Sequence, residues 1–586
     1  MYNTNQHTFK THDQTELFYQ HWESISQKNI PNANKKAIIL FHRGHEHSGR
    51  MAHLIDELKL ADFDFFAWDA RGHGDSPGER GDAPSFSACV KDIQYFLQHI
   101  QQQYGIDENN IAIIGQSVGA VLSATWVHDY APKIRALCLA SPAFDIKLYV
   151  PFAEPGLRVL NHIKGNFFIQ SYVKSSMLTH DKERAQTYDT DPKIARSISV
   201  RMLLGLYDAS KRIVADAQNI FVPTQVLCSG SDFVVQQKPQ RDFYDKLPHP
   251  QKEFHVLDGF YHDTIGEKNR AVAIDKIKRF ITQCFANPYQ APDLLHADKI
   301  GSSCAIAETL SAPLPHKSAK YLFWQITKKN LKIGSLLSKG LKIGEDTGYD
   351  SGSTLDFVYR NQTESQNPIG KIIDRQYLNA IGWRGIRLRK ENIEQLFQKY
   401  AKALSENNQP IRILDIASGH GRYILDAVQK LPKLPDSVLL RDYSEINVKA
   451  GQQMIQERGL EHIAQFVQAD AFDTQSIASI DPRPTLGVVS GLYELFSDND
   501  LLRRSLNGLS QAIEKNGYLI YTGQIWHPQQ EFIARALTSH REGDAWVMRL
   551  RSQAEMDALV EAAGFKKVDQ NIDDFGIFTV SVAQKL

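Results

Sequence analysis

The most constraining stretch of the chain is Asn110–Ala124. A short apolar run, Ile111-Ala112-Ile113-Ile114, ends in Gly115-Gln116-Ser117-Val118-Gly119, and small residues follow at helical spacing. That order spells strand, sharp turn, helix, with the Ser117 hydroxyl at the apex and a glycine on each side to relieve a strained turn. A strand that feeds directly into a helix implies a parallel sheet with crossover helices. Alone, Gly-x-Ser-x-Gly also fits an ordinary turn with a solvated serine. A nucleophile needs a base and an orienting acid from elsewhere in the chain.

Sister strands are present. Residues 8–23 alternate like a hairpin turning at Asp13-Gln14, and Lys36–Phe41 is nearly all apolar, as a strand buried on both faces would be. Phe63–Trp68, Arg135–Ala140, Val222–Gly230 and Glu253–Leu257 continue the series, with a helix around Phe86–Tyr104. Asp232 follows the 222–230 strand and His262 follows the 253–257 strand. Loops after strands are where a base and its orienting acid usually sit, and the order Ser117, Asp232, His262 is that of α/β-hydrolases. Taken singly, the aspartate reads as a turn former and the histidine as a packed residue; together at strand ends they read as a triad.

These residues carry a resemblance. About the first 285 residues are similar to the monoacylglycerol lipase and lysophospholipase branch of the α/β-hydrolases. The match lies in His42…Glu46-His47-Ser48-Gly49-Arg50, Asp69…Arg71-Gly72-His73-Gly74-Asp75-Ser76, Gly115–Gly119 and Gly259…His262. The family places His-Gly at the oxyanion loop; here Arg43 stands at that glycine, and Gly44 follows one position later. The resemblance implies acyl transfer through a serine ester, with the Gly44 and Val118 amides receiving the oxyanion. It also implies a cap over residues 146–218, whose Leu148–Phe152 and Phe167–Ile169 either line an acyl pocket, touch lipid or form the cap's own core. Four nearby histidines, His42, His45, His47 and His53, invite a metal reading, but no second ligand cluster is spaced to complete a shell, so no metal is expected.

The strand–helix rhythm stops near Asn287–Pro292. Residues 289–345 read as an inter-domain connection with some helix, and Trp383–Lys390 as a basic, aromatic-flanked patch, either a phosphate binder or a solvated helix start. A second α/β pattern begins at Ile411–Tyr423, where a strand ends in Asp415-Ile416-Ala417-Ser418-Gly419-His420-Gly421. Ile424 falls where a dinucleotide fingerprint wants Gly or Ala, so NAD fits poorly. Val438–Asp442 and Phe466–Ala471 follow, each with an acid at or near its end (Asp442, Asp470), one strand–helix unit apart. Further strands are expected at 486–494, 517–522 and 577–582.

This half resembles the class I S-adenosylmethionine-dependent methyltransferases, over roughly residues 376–586. Asp415-x-Ala417-x-Gly419-x-Gly421 carries the likeness. The resemblance implies S-adenosylmethionine as cofactor, held by Asp415, Ala417, Gly419, Gly421, Asp442, Asp470 and Ala471. Another nucleotide on the same kind of domain is the competing reading. No Asn-Pro-Pro-aromatic tetrad follows the fourth strand, which argues against methylation of nucleic-acid bases. Tyr493, Glu494, Trp526 and His527 are candidates for the acceptor side.

The expected fold class is therefore α/β twice over: an α/β-hydrolase fold with a helical cap over residues 1–288, and a Rossmann-like class I methyltransferase fold over 346–586 including an N-terminal extension. Lys+Arg and Asp+Glu both number 67, so no global field draws the chain to nucleic acid. Five scattered cysteines without a C-x-x-C pair argue against disulfides and zinc. With no signal-like start and no membrane-length apolar run, the expectation is a cytoplasmic enzyme without a transmembrane segment. The combined reading is a bifunctional enzyme: a serine ester hydrolase for a small-molecule or lipid-like substrate, with peripheral lipid contact, joined to a methyltransferase of unassigned acceptor. The alternatives are a non-catalytic binding module in one half, or a peptidase in the first.

Overall fold

A computed structural model describes residues 2–28, 30–541 and 543–586. The chain forms two compact units, Met1–Pro292 and Asp293–Leu586. Among the described residues of the first, ten strands appear in order. They are β1 (Tyr2–Lys10), β2 (Glu16–Ser24), β3 (Ala37–Phe41), β4 (Asp64–Trp68), β5 (Ile111–Gln116), β6 (Ala136–Ala140), β7 (Phe168–Gln170), β8 (Ser197–Ser199), β9 (Thr224–Ser229) and β10 (Lys252–Leu257). Eight form one sheet in the order β1-β2-β4-β3-β5-β6-β9-β10. From β4 to β10 all neighbours are parallel, and β1 and β2 join antiparallel at one edge. This is the α/β-hydrolase fold. Strands β3, β4, β5, β6 and β9 are buried at every position, because helices cover both faces of a parallel sheet.

Between β6 and β9 the chain makes a long insertion that includes residues 146–218. It contains helices Ala153–Lys164, Lys182–Thr190 and Val200–Ala215 and the small antiparallel pair β7–β8, which the sequence patterning does not reveal. The Ala153–Lys164 helix has no buried residue.

The second unit holds β11 (Arg412–Ile416), β12 (Ser437–Asp442), β13 (Ala464–Gln468), β14 (Leu486–Val489), β15 (Tyr518–Gln524), β16 (Phe565–Ile572) and β17 (Phe578–Lys585). Their order is β13-β12-β11-β14-β15-β17-β16, parallel except at β17. This is a Rossmann-like sheet, and strand order reverses between β11 and β14. Ligands of open α/β sheets bind at the carboxyl ends of the strands beside such a switch point. Two details differ from expectation: β13 ends at Gln468, leaving Asp470 in the following turn, and β16 precedes the closing strand. From Asp293 on, the stretch read as a connection lies within the second unit. It forms helices Ser302–Ser311, Ala319–Ser335 and Lys339–Thr347, and Leu341 is part of a buried cluster with Phe357, Trp383 and Trp546.

Candidate functional sites

At the end of β5 the backbone of Ser117 takes φ 53°, ψ −112°, a conformation that costs a non-glycine residue about 1–3 kcal/mol. Its flanking glycines are explained by contact. A Cβ on Gly119 would lie 2.4 Å from the His42 carbonyl oxygen, and one on Gly115 would lie 2.8 Å from Ala120 Cα. The turn is locked from its neighbour, since Ser117 N–H donates to the Ala140 carbonyl on β6 at 2.9 Å.

The structure brings Ser117, His262 and Asp232 together. His262 Nδ1 lies 2.8 Å from Asp232 Oδ2, and Nε2 lies 2.8 Å from Ser117 Oγ. With Nδ1–H donating to the carboxylate, Nε2 is left to accept the serine proton. Asp232 also accepts the Val234 and Val235 amides at 2.7 and 3.0 Å. Burial opposes its charge, but the His262 ring and these hydrogen bonds outweigh it and hold the pKa below the ordinary value. All three side chains are buried. Ser117 and His262 border a cavity of about 150 Å³ whose walls include Trp68, Leu148, Ile169, Met202 and Leu206.

Gly44 and Val118 are adjacent there: a Cβ on Gly44 would lie 3.0 Å from Val118 Cγ2. Among the described residues, neither amide donates a hydrogen bond within the chain. Arg43 points away from a reacting role. Its guanidinium donates to Glu46 at 2.7 Å, and Arg50 donates to the same oxygen at 2.6 Å. Both cations lie over the Tyr188 ring, at 5.1 and 5.7 Å from its centroid. His42 ties this loop to the one after β4: its Nε2 accepts the Ala70 N–H at 3.0 Å, and Nδ1 donates to the Arg43 carbonyl at 2.8 Å. Asp69 staples the same loops by accepting the Ser48 and Asp75 amides, both at 2.7 Å. Burial pushes His45 down to about 4 and His73 down to about 3, so both rings are neutral near pH 7. Among the described residues, no cluster of three or more His, Cys, Asp or Glu side chains is placed to hold a metal.

In the second unit, Asp415 is the next-to-last residue of β11. Tyr423 O–H donates to its Oδ1 at 2.6 Å, while Oδ2 is buried without a partner. Burial pushes this carboxyl up to about 8. The following turn is left-handed at Ala417 (φ 56°), Gly419 (φ 56°) and Gly421 (φ 75°). Asp442 holds it, with Oδ2 accepting the Gly419 N–H at 2.8 Å and Oδ1 accepting Ser444 N–H at 2.9 Å. Asp470 is exposed and accepts the Phe472 amide of its own turn at 2.8 Å; Ala471 beside it is half-buried.

Beyond the end of β14 the unit encloses an apolar cavity of about 310 Å³, and Glu494 and His527 are among its walls. Tyr493 is instead committed to Ser505 at 3.0 Å, and Trp526 packs in the surrounding core. Trp383–Lys390 is the start of helix Ile381–Glu406, one of its two readings, but it is not solvated throughout: Trp383 and Arg389 are buried and Lys390 pairs with Asp426 at 2.8 Å. Arg389, read from the sequence only as part of that basic stretch, and Trp546, which sequence reasoning passed over, also line the cavity. A cationic residue at an apolar helical position was the available signal for Arg389.

The family model described as "Putative methyltransferase" matches residues 277–585, more than half of the chain. The chain belongs to that family. A second family model, "Serine aminopeptidase, S33", matches residues 32–269. The chain is 51% identical over 579 residues to "Uncharacterized protein YnbC" of Escherichia coli (strain K12), covering 99% of this chain and 98% of that protein. Its first half is 27% identical over 252 residues to monoglyceride lipase of Rattus norvegicus, covering 42% of this chain and 79% of the lipase. A solved monoacylglycerol lipase of Paleococcus ferrophilus aligns with TM-score 0.40 and 21% identity, over 48% of this chain and 99% of that one. This member of the methyltransferase family thus carries a hydrolase half of monoglyceride lipase type.

Proposed function

We propose that the first unit hydrolyses carboxylic esters of the monoacyl-lipid type and that the second transfers a methyl group from S-adenosylmethionine. The observation carrying the hydrolase reading is the unbroken relay Asp232–His262–Ser117 at 2.8 Å per step, beside two undonated amides. His262 Nε2 takes the Ser117 proton as Oγ attacks the ester carbonyl, and the Gly44 and Val118 amides receive the oxyanion. The alcohol leaves with the proton from His262. Water, activated by the same ring, then attacks the acyl-serine and restores the enzyme. A peptidase reading has the second family description in its favour. However, the one acid bordering the cavity among the described residues, Asp82, is paired with Arg201, so no free carboxylate waits for a substrate ammonium. Ser117→Ala should lower hydrolysis of a monoacylglycerol at least about 10³-fold. Unchanged hydrolysis removes Ser117 from the nucleophile's role, and faster turnover of an aminoacyl anilide than of the ester favours the peptidase.

The second unit fits the cofactor. Asp415 Oδ2 and Ser490 Oγ are buried polar atoms without partners at the ends of adjacent central strands. A Cβ on Gly419 would meet nothing closer than 3.5 Å, so the turn has an open side. Asp415 and the Ala417–Gly421 turn would hold the amino-acid moiety, and Asp442 the ribose. Asp470 and Ala471 would border the adenine. When bound, the cofactor supplies an electrophilic methyl group. Calorimetric titration with S-adenosylmethionine tests this: binding by the wild type that Asp415→Ala removes is expected, and absence of binding to the wild type leaves a non-catalytic module. Free cysteines at all five positions support a reducing compartment such as the cytoplasm, and among the described residues no helix is long and apolar enough to cross a membrane.

A further inference from the structure

The apolar cavity of the second unit holds more unmet polar chemistry than a core should. Its walls include Tyr349, Tyr377, Trp383, Phe532, Trp546 and Phe578. Its volume, about 310 Å³, is at the lower end for small-molecule sites, which span roughly 300–1,000 Å³. Four of its lining residues carry a buried polar atom with no partner: Glu494 Oε2, Arg389 Nε, Tyr377 Oη and Trp546 Nε1. Each such atom costs about 1–3 kcal/mol. A ligand that meets them recovers part of that cost.

The polar groups are also held in place. Thr522 Oγ1 accepts the Gly491 N–H at 2.9 Å and donates to Glu494 Oε1 at 2.8 Å, which orients the carboxylate and leaves Oε2 unpaired. Arg389 Nη1 lies 3.7 Å from Glu494, and the guanidinium sits 5.0 Å over the Phe578 ring. His527 Nδ1 accepts the Gln529 N–H at 3.0 Å, so the neutral ring carries its proton on Nε2. Among the described residues the lining holds two carboxylates, Asp350 and Glu494, and one guanidinium, Arg389. Asp350 is engaged by Ser539 O–H and His540 N–H, both at 2.6 Å, and by the His540 ring at 3.1 Å, which leaves Glu494 and Arg389 to offset each other. A ligand head with a net charge would therefore leave an unpaired charge in apolar surroundings.

We propose that this cavity binds the methyl acceptor, a small and mostly apolar molecule that presents a neutral hydroxyl group, with its O–H donating to Glu494. The word acceptor rests on the methyltransferase reading; the ligand class does not. The site lies past the end of β14, next to β11 at the switch point, on the side of the sheet's carboxyl edge where Asp415 is next to last in its strand.

The test uses the full chain and three probes of one shape: 2-naphthol, naphthalene and 2-naphthoate, with binding followed by ligand-observed NMR. The naphthol should bind about tenfold or more tighter than either analogue, the worth of one hydrogen bond to a charged group. Glu494→Gln should remove most of that preference while leaving naphthalene binding unchanged. Ala380→Trp, which fills the cavity, should abolish binding of all three and so separates this cavity from the one at Ser117. Equal affinity for the naphthol and naphthalene, tighter binding of the naphthoate, or full binding by Ala380→Trp overturns the proposal. S-adenosylmethionine is titrated in parallel. Cofactor binding without naphthol binding overturns the cavity assignment alone. Naphthol binding without cofactor binding supports the ligand class and condemns the methyltransferase reading.

Discussion

Asp415→Asn should stabilise the second unit in a pH-dependent way while damaging cofactor binding. The Asp415 carboxyl is fully buried, and burial pushes its pKa up to about 8 despite hydrogen bonds from Tyr423 and Ser418. In the unfolded chain the same group titrates near about 3.9. Between those values the folded chain holds a proton that the unfolded chain has released, so stability falls as pH rises from about 4 to about 8 and is flat beyond. At about 1.4 kcal/mol per unit the ceiling is roughly 6 kcal/mol, and relaxation of the site reduces it to a few. Asparagine keeps the acceptor for Tyr423 and cannot titrate, so it removes the loss. Calorimetric scans at pH 5 and pH 8.5 are the assay. The variant should match the wild type at the lower pH and melt roughly 5–10 °C higher at the upper one. A melting difference that does not change with pH refutes the reasoning. On the proposed cofactor reading the ammonium of S-adenosylmethionine pairs with the ionised Asp415 carboxylate, so wild-type affinity should rise toward pH 8. The variant should bind weakly with no such slope.

Asp232→Asn should lower ester hydrolysis about 10⁴-fold with the fold intact, read as kcat against an unchanged melting profile, because the imidazole loses its orienting acceptor. Gly119→Ala should abolish the esterase and destabilise the first unit, since its Cβ would lie 2.4 Å from a backbone oxygen that cannot move freely; full activity would refute that packing. Arg43→Gly removes one of two cations on buried Glu46 and should cost about 3 kcal/mol in denaturant unfolding, while leaving the Gly44 amide to be tested by kcat on a short-chain ester. Phe152 and Ile163 are 86% and 72% exposed on the cap, so their replacement by serine should slow hydrolysis of vesicle-borne monoacylglycerol several-fold and leave a soluble ester unaffected.

The residues of the proposed hydrolase site were legible because each lies within a few residues after a strand-like run. Ser117 follows β5, Asp232 follows β9 and His262 follows β10, and chain order alone suggested their roles. The glycine turn after β11 was legible for the same reason. The cavity of the second unit was not. Its walls come from residues within 331–389, the loop after β14, the segment 524–548 and Phe578 of β17, and nothing in local periodicity says that these segments meet. Trp383 and Arg389 share one helix with Arg384 and Lys390, so the run looked like a basic surface patch. Only packing shows which of them turn inward.

The same limit explains the two strained turns. Ser117 (φ 53°) and Ala417 (φ 56°) are non-glycine residues in conformations that L-residues avoid, each at the end of a central strand. Each turn makes a local hydrogen bond, Val121 N–H to the Ser117 carbonyl at 3.2 Å and Gly421 N–H to the Ser418 carbonyl at 2.8 Å, but each is also tied to a neighbouring strand. Ser117 N–H is fixed by the Ala140 carbonyl of β6. The turn after Ala417 is fixed by strand β12, through the Arg441 carbonyl, which accepts Ser418 N–H at 3.0 Å, and the Asp442 carboxylate on Gly419. Strain of this kind persists only where a neighbour over-determines the backbone. A motif in sequence therefore marks where such a turn can form, and the adjoining parallel strand, distant in the chain, decides that it does. Substitutions in β6 and β12 that shift these acceptors should then disable the two sites without touching either motif.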